Sequence, residues 1–456
     1  MNKLRPVPAR TRPAAMCRIP LAVLLGLGAT AAVATEVEDF VSGELRRISE
    51  TPVQSALGTV IGQICPSGLL ITDSDLQNRC DEIATAIVGN ADPTDDGGAR
   101  DALQAMAAEE DAVIASSRVD SRSGQIDAIG QRLTNLRGGA PAVANAGSFN
   151  WAGGAAGDGV STPWGFFVTG TYASTDRDTT AREAGFEADD YGVTVGVDYN
   201  FDGRVVLGLA GGYNNSDADI DNNGGKLDTD SYSVFGYWSL YPDDVWFVDA
   251  MVGYTDNDHD QTRNVIYNIA AVGGGTTRVN NSAVSNTDSE EWSASISAGR
   301  DFALGQWVLT PLARFDYADV EIDAFTETMA QQNAAGAGLA LAIDGQDFES
   351  MMVTAGSRLT TRFDTSFGAM FPEISAEYVH EFKNNNAPIT GRFVNDSSNT
   401  TIVLLTDGPD RNFFNVGAGL TAAFNDNASG FVRYQGLFGY QDLDVHAVEI
   451  GIRATF

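Results

Sequence analysis

From residue 163 onward, apolar and polar positions alternate with a period of two. Trp164, Phe166, Val168, Gly170 and Tyr172 share one phase, while small or polar residues fill the other. The alternation returns at residues 191–199, 205–213, 232–240, 246–254, 292–298, 307–317, 351–359, 374–382, 414–424, 432–440 and 448–456. Each stretch predicts a strand with one apolar face, which makes twelve. Many begin or end with Trp, Tyr or Phe on the apolar side, as an aromatic girdle at each edge of a lipid layer requires. The connections add an independent signal. Those after even-numbered strands are short, such as Asp202-Gly203 and Leu304-Gly305, whereas residues 174–190, 214–230, 256–290, 321–347 and 383–411 read as long polar loops after odd-numbered strands. A soluble sandwich has no reason to segregate loop lengths this way. The expected fold class is an all-β transmembrane barrel of twelve antiparallel strands over residues 163–456, turns at one rim and loops at the other.

Upstream the period becomes helical. Thr51 offers an N-cap with Pro52 at the first helical position, and Val53, Ala56, Leu57, Val60, Ile61 and Ile64 recur on one face. A second helix begins near Ser74 or Asp75 and ends before Gly89-Asn90. Cys65 and Cys80 would staple this hairpin across its loop in an oxidising compartment; two free thiols are the alternative. After a break rich in Pro, Asp and Gly, Leu103, Met106, Val113 and Ile114 suggest a third helix. Ile126, Ile129, Leu133 and Leu136 continue helical spacing to Arg137, ahead of a Gly-, Ala- and Asn-rich linker at residues 138–159. The first residues carry Lys3, Arg5, Arg10, Arg12 and Arg18 before an apolar run and Ala32-Val33-Ala34. This predicts a signal peptide over residues 1–34 with cleavage after Ala34. The expected organisation is then a small helical segment at 35–99, a helix and linker leading into the pore at 100–162, and the barrel.

Charge narrows the partners. Lys and Arg total 28 against 61 Asp and Glu, a formal net charge of −33, which repels nucleic acid. The acidic runs at Asp217, Asp219, Asp221, Asp228, Asp230 and at Asp256, Asp258, Asp260 lack the full spacing of a calcium loop, so neither metal nor cofactor is expected. Arg314, Asp316, Glu349, Arg358, Arg362, Glu373, Glu377, Glu381, Arg433, Glu449 and Arg453 lie opposite the apolar stripes. Charge facing lipid near the midplane costs about 2–4 kcal/mol, so these residues are expected to line a polar lumen and to pair with one another. The chain has only three histidines, His259, His380 and His446, and lacks G-x-S-x-G, H-E-x-x-H and P-loop motifs. No enzyme activity is expected.

These stretches resemble the translocator barrel of autotransporters, the type V secretion proteins. The resemblance is carried by G-V-T-V-G-V-D-Y-N-F at 192–201, W-F-V-D-A at 246–250, E-I-S-A-E-Y-V-H-E-F at 373–382, D-R-N-F-F-N-V-G-A-G-L at 410–420 and the terminal Phe456. Residues 126–137 look like the helix that occupies the pore in that family, where Arg132 and Arg137 would meet inward carboxylates. The resemblance implies an outer-membrane protein that exports or displays its own short N-terminal segment. It also implies contacts with outer-membrane lipid, periplasmic chaperones and the barrel assembly machinery, to which Phe456 would present the assembly signal. Self-cleaving members carry paired asparagines in the pore helix; none lies between Ser121 and Arg137 here, so one uncleaved chain is expected. The alternative is an adhesin or channel-like barrel, facing an unidentified surface ligand, whose N-terminal segment is a periplasmic or lumenal plug.

Overall fold

The computed structural model describes residues 41–65, 74–89, 96–107, 109–114, 129–130, 133 and 163–455, apart from 202, 426 and 427. The signal peptide with Ala34, the residues Ile126, Arg132, Leu136 and Arg137, the linker and Phe456 lie outside the described residues.

Twelve long strands close into one barrel. They are β1 (Trp164–Arg177), β2 (Phe186–Phe201), β3 (Val205–Ile220), β4 (Gly225–Leu240), β5 (Trp246–Ala270) and β6 (Thr276–Arg300). The second half comprises β7 (Trp307–Ile322), β8 (Gln346–Thr361), β9 (Gly368–Glu381), β10 (Asn412–Asn425), β11 (Ala428–Phe438) and β12 (Leu443–Thr455). Each pairs antiparallel with its chain neighbours, and β1 pairs with β12 from Gly165↔Thr455 to Arg177↔Leu443. Closure pairs the strand edges around the whole barrel at the level of the lipid, which a hydrocarbon surround demands.

The strands run further than the alternation of apolar residues suggested. The expected loop at 256–290 is mostly strand: β5 and β6 stay in register from Trp246↔Arg300 to Ala270↔Thr276. The expected loop at 214–230 shrinks to a turn between Ile220 and Gly225. The physical reason is a change of surroundings along one strand. On β5 the outward phase reads Trp246, Val248, Ala250, Val252, Tyr254 and then Asp256, Asp258, Asp260; the inward phase runs from Asp249 and Asn257 to Val265, Tyr267 and Ile269. Beyond the tyrosine the outside meets water and the inside meets protein, so the pattern inverts while the pleat continues.

Among the described residues, three helices precede the barrel, α1 (Pro52–Ile64), α2 (Asp75–Gly89) and α3 (Ala99–Met106), with a further helical stretch at residues 41–48. Thr51 and Gln54 form a reciprocal capping box at the start of α1. Cys65 and Cys80 are bonded, with an S–S distance of 2.07 Å. α3, Val113 and Ile114 join the same apolar core as α1 and α2, and together they make up the helical body.

Inside the barrel, glycines make room for aromatic rings. The Phe167 ring of β1 lies over Gly196 of β2, and Phe235 of β4 over Gly253 of β5; an added Cβ would overlap either ring. We expect Gly253→Val to overpack the wall and cost about 1–3 kcal/mol. The check is the fraction of protein that migrates in compact form on unheated gels, which should fall relative to wild type and to the exposed turn variant Asp244→Ala.

Candidate functional site

The candidate site is the barrel's interior and the mouth at its long-connection rim. The helical body is packed into that mouth. Leu57, Ile61, Ile64, Leu76, Ile83, Leu103 and Met106 share one buried cluster with Phe186, Ile220, Val265, Tyr267, Ile269 and Val279 from the upper strands. The cluster also takes in Phe325, Leu341, Phe393 and Ile402, which belong to a four-stranded sheet folded from the two longest connections. Burial of each Leu or Ile is worth about 1.5–3 kcal/mol. Apolar contact therefore supplies most of the attachment.

One buried ion pair fixes the geometry of the attachment. Arg263 of β5 donates from Nε and Nη2 to the two oxygens of Glu327, both at 2.7 Å. Its Nη1 donates to the Ala105 carbonyl of α3 at 3.1 Å, and Nη2 also reaches the Leu339 carbonyl at 3.3 Å. Glu327 accepts from the Leu341 amide as well, at 2.8 Å. Arg263 and Glu327 are 1% and 2% exposed, so strand, connection and helix meet at one guanidinium out of water. Burial alone would pull Arg263 down, but Glu327 outweighs it and holds the guanidinium above its ordinary pKa.

Two acids crowd this pair from the helical side. Burial pushes the Asp111 carboxyl up to about 7, with Glu327 adding to the rise and Arg263 and Gln261 opposing it. Burial likewise raises Glu110 well above its ordinary value, with Arg263 opposing and Glu109 and Asp111 assisting. Elsewhere, α2 is tied to the mouth by Asp75, whose Oδ2 accepts from the Gly338 amide at 2.9 Å, while the Arg79–Glu82 pair lies within the helix itself.

Lower down, Ile129 and Leu133 are buried against Phe167, Val206, Ala210, Phe235 and Tyr237, which all point inward. Phe167 and Tyr237 meet edge to face at 6.4 Å, and the Tyr237 hydroxyl donates to Asp198 at 3.1 Å. Phe167, Val206 and Tyr237 lie within a few residues of the short turns. Between this cluster and the apolar core of the mouth the inner wall is mostly polar. Arg314 bonds Asp316 at 2.9 Å and lies 3.5 Å from Glu377. Arg433 stands opposite Glu449 and reaches Ser375 at 3.5 Å, while Glu373, Arg358, Glu381 and Arg453 occupy inward register positions. Glu349 does not belong with them. It shares the phase of Met351 and Val353, faces outward, and pairs with Lys383. Arg362 lies beyond β8, where it pairs with Asp364 at 2.6 Å. His259, assigned to a loop by sequence, is a wall residue, 0% exposed, between Thr229 at 2.9 Å and Ser289 at 3.3 Å.

On the outer surface, tyrosines and carboxylates mark a boundary. The hydroxyls of Tyr172, Tyr213 and Tyr317 donate to Asp189, Asp230 and Glu349 at 2.8, 2.6 and 3.2 Å. Above them acids face acids across strand after strand: Asp189↔Asp217, Asp217↔Asp228, Asp228↔Asp260, Asp258↔Asp288, Glu290↔Glu321 and Asp319↔Glu349. A shared hydrogen bond with Asp217 raises Asp228 to about 6. Among the described residues no group of three or more His, Cys, Asp or Glu is arranged to hold a metal ion.

Comparison with known proteins follows this geometry. The family model described as autotransporter beta-domain matches residues 166–435. The chain is 28% identical over 250 residues to outer membrane protein A of Rickettsia conorii, covering 52% of this chain and 11% of that one. It is 28% identical over 223 residues to the esterase EstA of Pseudomonas aeruginosa, covering 48% of this chain and 31% of that one. The chain thus spans about a tenth to a third of these relatives. The translocator domain of autotransporter NalP from Neisseria meningitidis superposes with a TM-score of 0.53 at 14% identity, covering 76% of this chain and 99% of that one.

Two outcomes follow for the mouth. Glu327→Ala strands a buried Arg263, at a cost of about 3–5 kcal/mol, and should expose the helical body to protease while the barrel stays folded; Glu321→Ala on the outer surface should not. The folded pKa of Asp111 and Glu110 lies above the unfolded value, so their contribution is present below about pH 4 and lost as pH rises through about 7. Protease protection of residues 41–114 should therefore be greater at pH 5 than at pH 8.

Proposed function

Since this chain belongs to the autotransporter β-domain family, we propose that it carries its own N-terminal segment across the outer membrane and keeps it as a lid on the barrel. Export needs a closed pore afterwards, and here the exported part supplies the closure. The observation that supports this reading is the path of the chain. The described residues between 41 and 114 pack at the long-connection rim, Ile129 and Leu133 lie near the opposite rim, and β1 begins there at Trp164. In this reading the chain enters the lumen from the mouth and leaves it by the short-turn rim. In that family the short turns face the periplasm, so the helical body stands outside.

In this reading the lid is non-enzymatic and stays covalently joined to the barrel. The Arg263 clamp and the shared apolar core retain it, and the helix around Ile129 and Leu133 fills the lower lumen. Periplasmic chaperones and the barrel assembly machinery deliver and insert the chain, and Phe456 presents the assembly signal. Ala34 is the signal-peptide cleavage site. The named esterase relative sets a direct check: intact cells expressing the chain should hydrolyse p-nitrophenyl butyrate no faster than cells with the barrel alone.

Topology is tested by cysteine labelling of intact cells with a membrane-impermeant maleimide. Gly43→Cys, at an exposed helical position with open space around it, should label without permeabilisation. Asp244→Cys, in a short turn, should label only after the outer membrane is permeabilised. The reverse pattern at Gly43 places the helical body in the periplasm and ends the proposal.

A further inference from the structure

We propose that the barrel mouth holds a binding site for an amphipathic organic cation, in a recess beside the free upper edge of β8 that opens above the tyrosine girdle. The recess arises from an interrupted ladder. The β7–β8 pairing runs up to Gln346↔Ile322, but the β8–β9 pairing stops at Met352↔Glu381. Above that point β8 has no strand on its β9 side. The chain after β9 is turned away and pinned: Glu381 accepts from the Ser350 hydroxyl at 2.6 Å and from the amides of Met351 and Lys383 at 3.0 and 2.6 Å.

The gap adjoins a cavity of about 570 Å³ that reaches across the mouth to Arg177 and Leu443, a size that suits a small organic molecule. Residues from both faces of β8 line it, inward Phe348 and Met352 and outward Asp347 and Glu349, so it wraps around the free edge from the lumen mouth to the outside. Its floor is apolar, formed by Phe348, Met352, Val320 and Phe413, with Ala112 of the helical body closing the inner end. Glu349 is the register partner of Asp319, one outward position above Tyr317. The opening therefore lies at the level where lipid headgroups meet water.

The polar lining selects the sign of the ligand. Carboxylates outnumber cationic side chains around the cavity by seven to two. Both cations are already engaged, Arg177 with Glu183 at 2.5 Å and Lys383 with Glu349 at 2.5 Å. Among the described residues, neither Asp347 nor Asp442 takes part in an ion pair. A cleft with one sign of charge over an apolar wall concentrates molecules of the opposite sign. A primary amine on a short apolar body matches both surfaces, its ammonium drawn by the lining carboxylates that lack an ion pair, Asp347 and Asp442, and its body on Met352 and Phe348. The site stands on the barrel wall and does not depend on the direction of export.

The test is calorimetric titration of the full chain, folded in detergent, with 2-phenylethylamine, 3-phenylpropanoate and 2-phenylethanol, each corrected for empty micelles. The amine should bind at least about tenfold more tightly than the carboxylate and the alcohol. Asp347→Asn combined with Asp442→Asn should weaken the amine about fivefold or more; Asn suits position 442, which has φ of 56°. Met352→Trp, which fills the floor, should abolish binding while gel migration stays that of a folded barrel. If neither variant changes the affinity, or the three probes bind alike, or the amine does not bind, the site is refuted. Should Met352→Trp fail to fold, the double Asn variant decides.

Discussion

The ladder between the first and last strands, from Gly165↔Thr455 to Arg177↔Leu443, is the contact on which the rest of the structure depends. In hydrocarbon an unpaired strand edge leaves a row of amides and carbonyls without partners, each costing several kcal/mol. Closure removes the edge and divides the residues of every strand into two populations with different solvents. The outward set must be apolar for one band only, and the inward set is free to be polar, charged or small. Phe167 over Gly196, Phe235 over Gly253 and the Arg314–Asp316–Glu377 group are uses of that freedom.

Above the tyrosines the same strands serve a second purpose. Their outer phase turns acidic and faces water, and their inner phase turns apolar and becomes half of a core whose other half is helical. Neither half has a complete core of its own. The buried Arg263–Glu327 pair, tied to the Ala105 carbonyl, sets how the halves meet, since an unpaired guanidinium at this depth would be expensive. Burial holds the carboxyls of the acids beside it, Asp111 and Glu110, above their ordinary pKa.

Much of this was legible in the sequence where one solvent acts along a whole strand. The lipid band of Trp246 to Tyr254 reads as a strand at once, because every second residue is apolar. Asp256 to Asp260 reads as a loop, because the outward positions change solvent while the inward positions stay polar, and nothing local announces that the pleat goes on. Glu349 was misplaced for a related reason: a charge near a strand end was assigned to the lumen, although its phase with Met351 pointed outward. α1 and the Cys65–Cys80 pair depend on neighbours in sequence and were readable; the docking of the helices on β5 and β6 depends on residues more than a hundred positions away. Arg263 carried one local signal that was missed, a lone cation in the inward phase just before Val265, Tyr267 and Ile269.

The central claim is that the chain threads the lumen and closes it. Single-channel conductance in planar bilayers, comparing the intact chain with a variant lacking residues 121–137, tests this most directly. The account predicts that the intact protein is nearly silent and that the deletion opens a steady conductance in an otherwise folded barrel. Equal conductance of the two proteins, with folding verified by gel migration, would contradict it.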